Sequence, residues 1–440
     1  STYLSRTPSS NGSETKGTFS AWVKRTKLGD YHKMYTSYQA SNEFLDIQFN
    51  NADQLAVTIL IGGSTFLDLR TTRLFRDPSA WYHIVVVIDS TDSTQADRCK
   101  IYVNGERITD FATNTNNVSS SGTNMRINST SQNVYIGSWH NADYFDGSMT
   151  HVHWIDGTAY QSSTFGETDS TSGIWKPKTA PSVTYGTNGF FLKFENSGAM
   201  GTDSSGNTNT LTPSGTLTQN VDSPSNNFSI LNILSTHGNN TLSFGSNRIA
   251  FTANTSYTNS IGSLGINSGR WYVEAKVAGA TTYYPCIGFC SMGNNTRRYY
   301  DPLYTAAHLG ADEGTGYFAH GNIQKNGSTD GDYATFTTGD IIGMYLDLES
   351  GTKTMKYYKN NSLVKSTDIT PVDGQFYTFG ATGTSSSDIV DFNFGSGFFG
   401  TTAVASANAD ANGFGAFEYS PTLGGVNYYT LNTKNIKEFG

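Results

Sequence analysis

The chain has 440 residues, too many for one compact sandwich and enough for two or three domains that each bury a full core. With 46 Gly, 26 Tyr, 26 Phe and only 15% charged residues, it describes many turns and aromatic strand positions and few long solvated helices. A net charge of -8 opposes a large nucleic-acid footprint, three cysteines exclude a disulfide framework, and no apolar run reaches the roughly 18 residues of a membrane span.

Ser1-Thr-Tyr-Leu-Ser-Arg6 reads like the end of a strand whose beginning lies upstream, so the natural chain is expected to be longer there. Residues 18–24 alternate at period two, with Phe19, Ala21 and Val23 opposed to Ser20, Trp22 and Lys24. Further strands are expected at 43–49, 55–61, 82–88, 99–104, 133–137 and 148–155. Asn104-Gly105 is a hairpin signal, since both residues tolerate positive φ. Residues 158–187 are looser and read as a crossing segment punctuated by Pro177 and Pro181. Phe190–Phe194 returns to strand, and the polar stretch 197–227 carries the domain boundary near 222.

The second half repeats the strand-turn-strand phrase. Gly339–Asp347 and Met355–Asn361 mirror Trp81–Asp89 and Cys99–Arg107, each pair ending in an Asn-rich reversal. Strands are expected at 241–251, 270–277, 285–290, 315–320, 340–347, 354–360, 375–380 and 388–394. The expectation is an all-β chain of two antiparallel β-sandwiches, 1–222 and 223–400, followed by a C-terminal adapter at 401–440.

Phe19-Ser-Ala-Trp-Val-Lys24, Trp81-Tyr-His-Ile84, Lys100-Ile-Tyr-Val-Asn-Gly105, Tyr135-Ile-Gly137 and Phe145–Gly157 together resemble the laminin-G, pentraxin and concanavalin-like jelly-roll superfamily. Ser268–Glu274, Ile287-Gly-Phe289, Gly339–Asp347, Tyr357-Tyr-Lys-Asn360 and Asp391–Gly395 resemble a SPRY (B30.2-like) domain. The tandem order, with the Asp203-Ser-Ser-Gly-Asn207 seam, is similar to structural proteins of tailed phages, including those of marine and cyanobacterial hosts. That resemblance implies a virion surface protein: a tail fibre, head fibre or decoration, assembled in the host cytoplasm, trimeric with itself and in contact with other virion proteins. The acidic charge adds the expectation of no nucleic-acid partner, and the lack of a long apolar run that of no membrane insertion. A purely architectural role without a ligand is the alternative.

Jelly-roll glucanases place paired carboxylates on alternate residues of one strand, about 5 Å apart. Glu43-Phe-Leu-Asp46 has odd spacing, which sends its carboxylates to opposite faces, so no enzyme is expected. His151 and His153 are two apart, but no third His or Cys completes a metal set, and they read as flanking Trp154 on a half-exposed strand. Cys286 and Cys290 read as core fillers. Asp143 and Asp146 lie in a loop that the jelly-roll resemblance places near a calcium-binding rim, where loop carbonyls would supply the remaining oxygens.

Two loops carry the expected binding residues. Trp139, Asn141, Asp143 and Tyr144 set aromatic faces beside groups that bond hydroxyls, a combination suited to a host glycan. In the second module Arg297, Arg298, Tyr299, Tyr300 and Tyr304 form the richest loop, with Tyr283 and Tyr284 leaning toward the same rim. The two arginines suit acidic sugars or a carboxylate on a surface protein. Burial of the same aromatics between subunits is the competing role.

Overall fold

The computed structural model describes residues 2–238, 240–252, 257–292 and 314–439. The fold is all-β, and the chain divides into two compact units, 1–219 and 220–440. Among the described residues no helix is long and apolar enough to cross a membrane.

The first unit carries β1 (Tyr3–Arg6), β2 (Lys16–Arg25), β3 (His32–Ala40), β4 (Glu43–Phe49), β5 (Gln54–Ile61), β6 (Ser64–Leu74), β7 (Tyr82–Asp89) and β8 (Cys99–Val103). It continues with β9 (Glu106–Arg107), β10 (Phe111–Asn116), β11 (Asn133–Ile136), β12 (Gly147–Asp156), β13 (Gly166–Thr168), β14 (Trp175–Pro177), β15 (Phe190–Leu192) and β16 (Thr212–Ser214). One sheet runs β10-β6-β5-β4-β3-β11-β1-β16 and the other β15-β12-β2-β7-β8-β9. Their facing sides share a core that includes Phe19, Val23, Ile47, Val57, Ile84, Val86 and Trp154. Burying each aliphatic side chain contributes roughly 1.5–3 kcal/mol, which explains the alternation of 18–24. Yet Ser20, Trp22 and Lys24 on the opposite side of β2 are buried too. Across Val85, Val87, Tyr102 and Ile155 the cover is residues 158–187, a strap whose Phe165 sits on this second cluster with Tyr160 and Tyr185. The loose segment of the sequence is therefore a third layer.

The hairpin signals hold in both units. Asn104 and Gly105 sit at φ 51° and 88°, and Asn360 and Asn361 at φ 48° and 67°. In each, the first Asn accepts a 2.8 Å bond on Oδ1 from the neighbouring strand, from the N–H of His83 and of Ile341 respectively. Sequence reading passed over β3, β6 and β10, whose polar content masks their alternation.

The second unit carries β17 (Leu231–Thr236), β18 (Thr241–Ser243), β19 (Arg248–Ala250), β20 (Thr258–Gly262), β21 (Arg270–Gly279), β22 (Cys286–Ser291) and β23 (Thr315–Phe318). After these come β24 (Asn322–Lys325), β25 (Ser328–Asp332), β26 (Ile341–Asp347), β27 (Thr354–Lys359), β28 (Ser362–Asp368), β29 (Tyr377–Gly383) and β30 (Ile389–Asn393). Among the described residues the sheets run β17-β20-β29-β22-β23-β24-β25 and β18-β19-β30-β21-β26-β27-β28. The single strand expected over 241–251 is a hairpin, because Gly245 at φ 66° turns the chain. Trp271, Val273, Phe289, Ile342, Met344 and Phe392 lie in the core between the sheets.

Residues 417–430 lie along β21 and β26. Tyr429–Thr430 pairs in parallel with Trp271–Tyr272, and Phe417 and Tyr428 pack on Tyr272 and Tyr345. A short helix, α1 (Thr433–Phe439), ends the described chain.

Candidate functional site

The loop from Trp139 to Phe145 joins β11 to β12. It is closed on itself: the Trp139 N–H donates to the Ala142 carbonyl at 2.8 Å, and the Ala142 N–H donates back at 2.9 Å. His140 and Asp143 adopt φ 57° and 50°, so the turn holds two non-glycine residues in the left-handed region. The outer face of β1, β11, β3 and β4 receives this loop.

Tyr38 and Phe44 are directly opposed across β3 and β4. The Trp139 indole meets both, edge-on to Tyr38 at 6.2 Å and tilted against Phe44 at 5.7 Å. The imidazole of His140 stacks on Tyr38 at 5.1 Å and stands edge-on to Tyr135 at 5.8 Å. Tyr3 joins the row, 5.8 Å from Tyr135 and stacked 6.3 Å from Tyr144. Asn141 ties the far end. Its Oδ1 accepts from the Tyr3 hydroxyl at 3.1 Å and its carbonyl from the Tyr144 hydroxyl at 2.7 Å. The result is a continuous aromatic ridge drawn from four strands and one loop.

Beneath the ridge lies a buried charge cluster. Lys33 donates to Asp46 Oδ2 at 2.7 Å, stands 3.8 Å from Asp143 and lies 4.9 Å from the Trp139 ring centroid. Thr36 donates to the other Asp46 oxygen at 2.8 Å. Burial pushes the Asp46 carboxyl up, while Lys33 and Thr36 pull it down. Glu43 pairs instead with Arg126 at 3.1 Å, so it and Asp46 engage different partners.

The structure thus brings Trp139, Asn141, Asp143 and Tyr144 together and divides their roles. Trp139 is half-buried and serves as floor, Asp143 faces a lysine, and Asn141 is exposed at the crest with Tyr144 half-exposed beside it. Tyr3, Tyr38, Phe44, Lys33 and His140 belong to the same surface but stood outside the sequence expectation. β3 contributes a single aromatic to this face, Tyr38, which gives no local signal, and the ridge assembles across sequence separations above one hundred residues.

Asp146 is exposed; its carbonyl accepts from the Thr26 N–H at 3.0 Å and its carboxylate acts on Lys27. Among the described residues no group of three or more His, Cys, Asp or Glu is placed to hold a metal ion. Asp143 already has a protein cation at hand in Lys33.

His151 and His153 depart from the half-exposed pairing expected of them. A bulge sets His151 and Val152 opposite Ala21, with His151 at φ 50°. His153 is buried and stacks on Phe191 at 3.9 Å; His151 stays half-buried, its Nδ1 3.0 Å from the Thr150 hydroxyl.

In the second unit Arg297, Arg298, Tyr299, Tyr300 and Tyr304 lie outside the described residues. Tyr283 is 62% exposed and edge-on to His320 at 5.3 Å. Its neighbour Tyr284 packs edge-on to Phe318 at 5.5 Å, and burial pushes its hydroxyl up. The two tyrosines therefore differ in exposure.

The model of the concanavalin A-like lectin/glucanases superfamily (Laminin_G_3) matches residues 1–163. No curated protein matches the chain. Among solved structures, the SPRY domain of human HERC1 is similar at 18% identity and TM-score 0.30, covering 37% of this chain and 96% of that one. A human SPRY domain is similar at 16% identity and TM-score 0.27, covering 35% and 94%. The heptameric SAP-like pentraxin of Limulus polyphemus is similar at 15% identity and TM-score 0.27, covering 36% and 71%. β-Sandwich units of this kind fit a ligand-binding module.

Proposed function

We propose that the chain is a non-enzymatic phage virion surface protein whose first unit holds a neutral host-surface glycan on the ridge of Tyr3, Tyr38, His140, Asn141 and Tyr144. The observation that carries this reading is the ridge itself. Rings from separate strands are fixed in a row, and Asn141, exposed at the crest, supplies amide donors beside them. Pyranose faces stack on such rings while hydroxyls bond to amides. A self-closed loop loses little entropy on binding.

The lysine under the ridge is held by Asp46 and faces Asp143, so it offers no open anion site and a neutral sugar suits the surface better than an acidic one. The carboxylates on this outer face are tied to cations, Asp46 to Lys33 and Asp68 to Arg70, and hydrolysis needs one acid and one unencumbered carboxylate. The virion setting rests on the tandem order of the two modules in the sequence, and homotrimeric assembly belongs to the same reading.

A glycan array followed by calorimetry on the intact chain tests it. Asn141→Ala and Tyr38→Ala should each weaken glycan binding at least tenfold with the melting temperature little changed. Absence of glycan binding, or binding indifferent to both changes, overturns the assignment. The sandwiches would then be architectural. Light scattering on the same sample checks the trimer.

A further inference from the structure

The strap at 158–187 is fastened to the second sheet of the first unit by two buried histidines. Trp175 Nε1 donates to His83 Nδ1 at 2.9 Å. An indole nitrogen only donates, so the His83 proton sits on Nε2, which is 2.9 Å from the Ser20 hydroxyl. The second fastening is the Tyr185 hydroxyl, 2.9 Å from His153 Nδ1. The His83 ring stacks on Trp22 at 4.8 Å with Trp175 beside it, near-parallel at 6.0 Å, and His153 lies against Phe191 and Phe165.

Among the described residues neither ring is ion-paired with a carboxylate; Asp203 acts on the Tyr185 hydroxyl rather than on the rings. On β2 they face Ser20 and Trp22, with Lys24 further along the row; on β15 Phe191; on the strap Phe165, Trp175 and Tyr185. Among the described residues the titratable groups that act on them are His151 and each other, all of one sign when charged. Lys193 and Glu195 act on His151 and not on the buried pair. The hairpin charges Glu167, Asp169 and Lys176 are spent on one another.

We propose that residues 158–187 form an acid-released strap, held down by neutral His83 and His153 and lifted when these two take up protons. Protonated His83 would carry N–H groups on both nitrogens, and its Nδ1–H would point at the Trp175 N–H. The strap bond is lost and a cation is left on an apolar face, so water must enter and the strap must leave. The uncovered face would present Val85, Val87, Tyr102 and Ile155.

Burial holds the His83 ring down to about 3 and His153 well below its usual value, against an ordinary value near 6.5 once open. Lowered folded values mean that the closed strap is fully stable above about pH 6.5 and loses stability as pH falls below it. Between about pH 7.5 and about pH 5 the open fraction should rise about 30-fold for His83 alone.

Amide hydrogen exchange of the full chain at those two pH values, corrected for the intrinsic pH dependence, reads this directly. Peptides within 158–187 should lose protection at least about 30-fold while β5 keeps its protection. Unchanged strap protection, or an equal loss in β5, overturns the proposal. The double variant His83→Gln/His153→Gln should lack the step, and a retained step also overturns it. If that variant does not fold, the wild-type exchange decides alone.

Discussion

In the first unit residues 158–187 lie over β2, β7 and β12; in the second, residues 417–430 lie over β21 and β26. Both segments cover the outer face of a sheet whose inner face is already core. The fastenings differ. The strap's side-chain fastenings include two buried imidazoles, His83 and His153. The tail is anchored in part by a carboxylate, Glu274, which is fully buried. It accepts from the backbone N–H groups of Glu418 and Tyr419 at 2.9 and 2.8 Å, from the Tyr272 hydroxyl at 2.8 Å and from the Asn393 amide at 3.2 Å. Burial raises its carboxyl to about 7 even so, since these donors offset only part of the desolvation. A base kept neutral and an acid kept buried respond to pH in opposite directions, so the proposed strap release predicts opposite acid responses for the two covers.

Glu274→Ala should break the comparison most severely. Four donors would lose their acceptor in a buried site, costing about 3 kcal/mol or more in denaturant unfolding of the second unit. The first unit's transition should not move. Trp175→Ala removes the strap's indole and leaves His83 Nδ1 without its donor, at about 2 kcal/mol, read as raised exchange across 158–187.

The pH comparison is subtler. A carboxyl raised from 4.5 to about 7 on folding weakens the tail as pH climbs through that window and leaves it constant above it. Tail protection should therefore rise on acidification from about pH 7.5 to about pH 5, by on the order of 1 kcal/mol per pH unit, while strap protection falls. Parallel movement of both covers would remove the contrast. The smallest effect is Asn361→Gly. At φ 67° glycine is unstrained, and the midpoint of unfolding should shift by only a few tenths of a kcal/mol.

The sandwiches were legible because their central strands are dense in β-branched and aromatic residues and end on Asn-rich turns. Val85–Val87 and Ile341–Ile342 could scarcely be anything else. β3 and β6 were not, because Lys33 and Thr36, which bond to Asp46 on the neighbouring strand, and the Asp68–Arg70 pair within β6 interrupt the apolar period. The Trp139 loop was visible as a composition, but its crest and floor were not separable without Tyr38 and Phe44 beneath it. The histidine fastenings carried no local signal. His83 reads as an ordinary strand position, and its partner Trp175 lies 92 residues further along the chain.

Trp175 lies flat across two glycines. A Cβ on Gly105 would sit 2.8 Å from its ring, and one on Gly166 would sit 2.5 Å away. The hairpin tip is thus roofed by the strap, and this bears on how the molecule ages. Asn-Gly pairs lose their side-chain amide when the glycine nitrogen swings round to attack the asparagine Cγ, a reaction that needs a mobile backbone. Here Gly105 is pinned beneath an indole, its carbonyl accepts from the Ser162 hydroxyl at 3.1 Å, and Asn104 Oδ1 is engaged by the His83 N–H at 2.8 Å. The site is shielded in the closed arrangement, and the proposed release of the strap would open it to attack. Conversion of Asn104 to aspartate in stored protein would then be a chemical clock of how long the strap has spent away from its sheet.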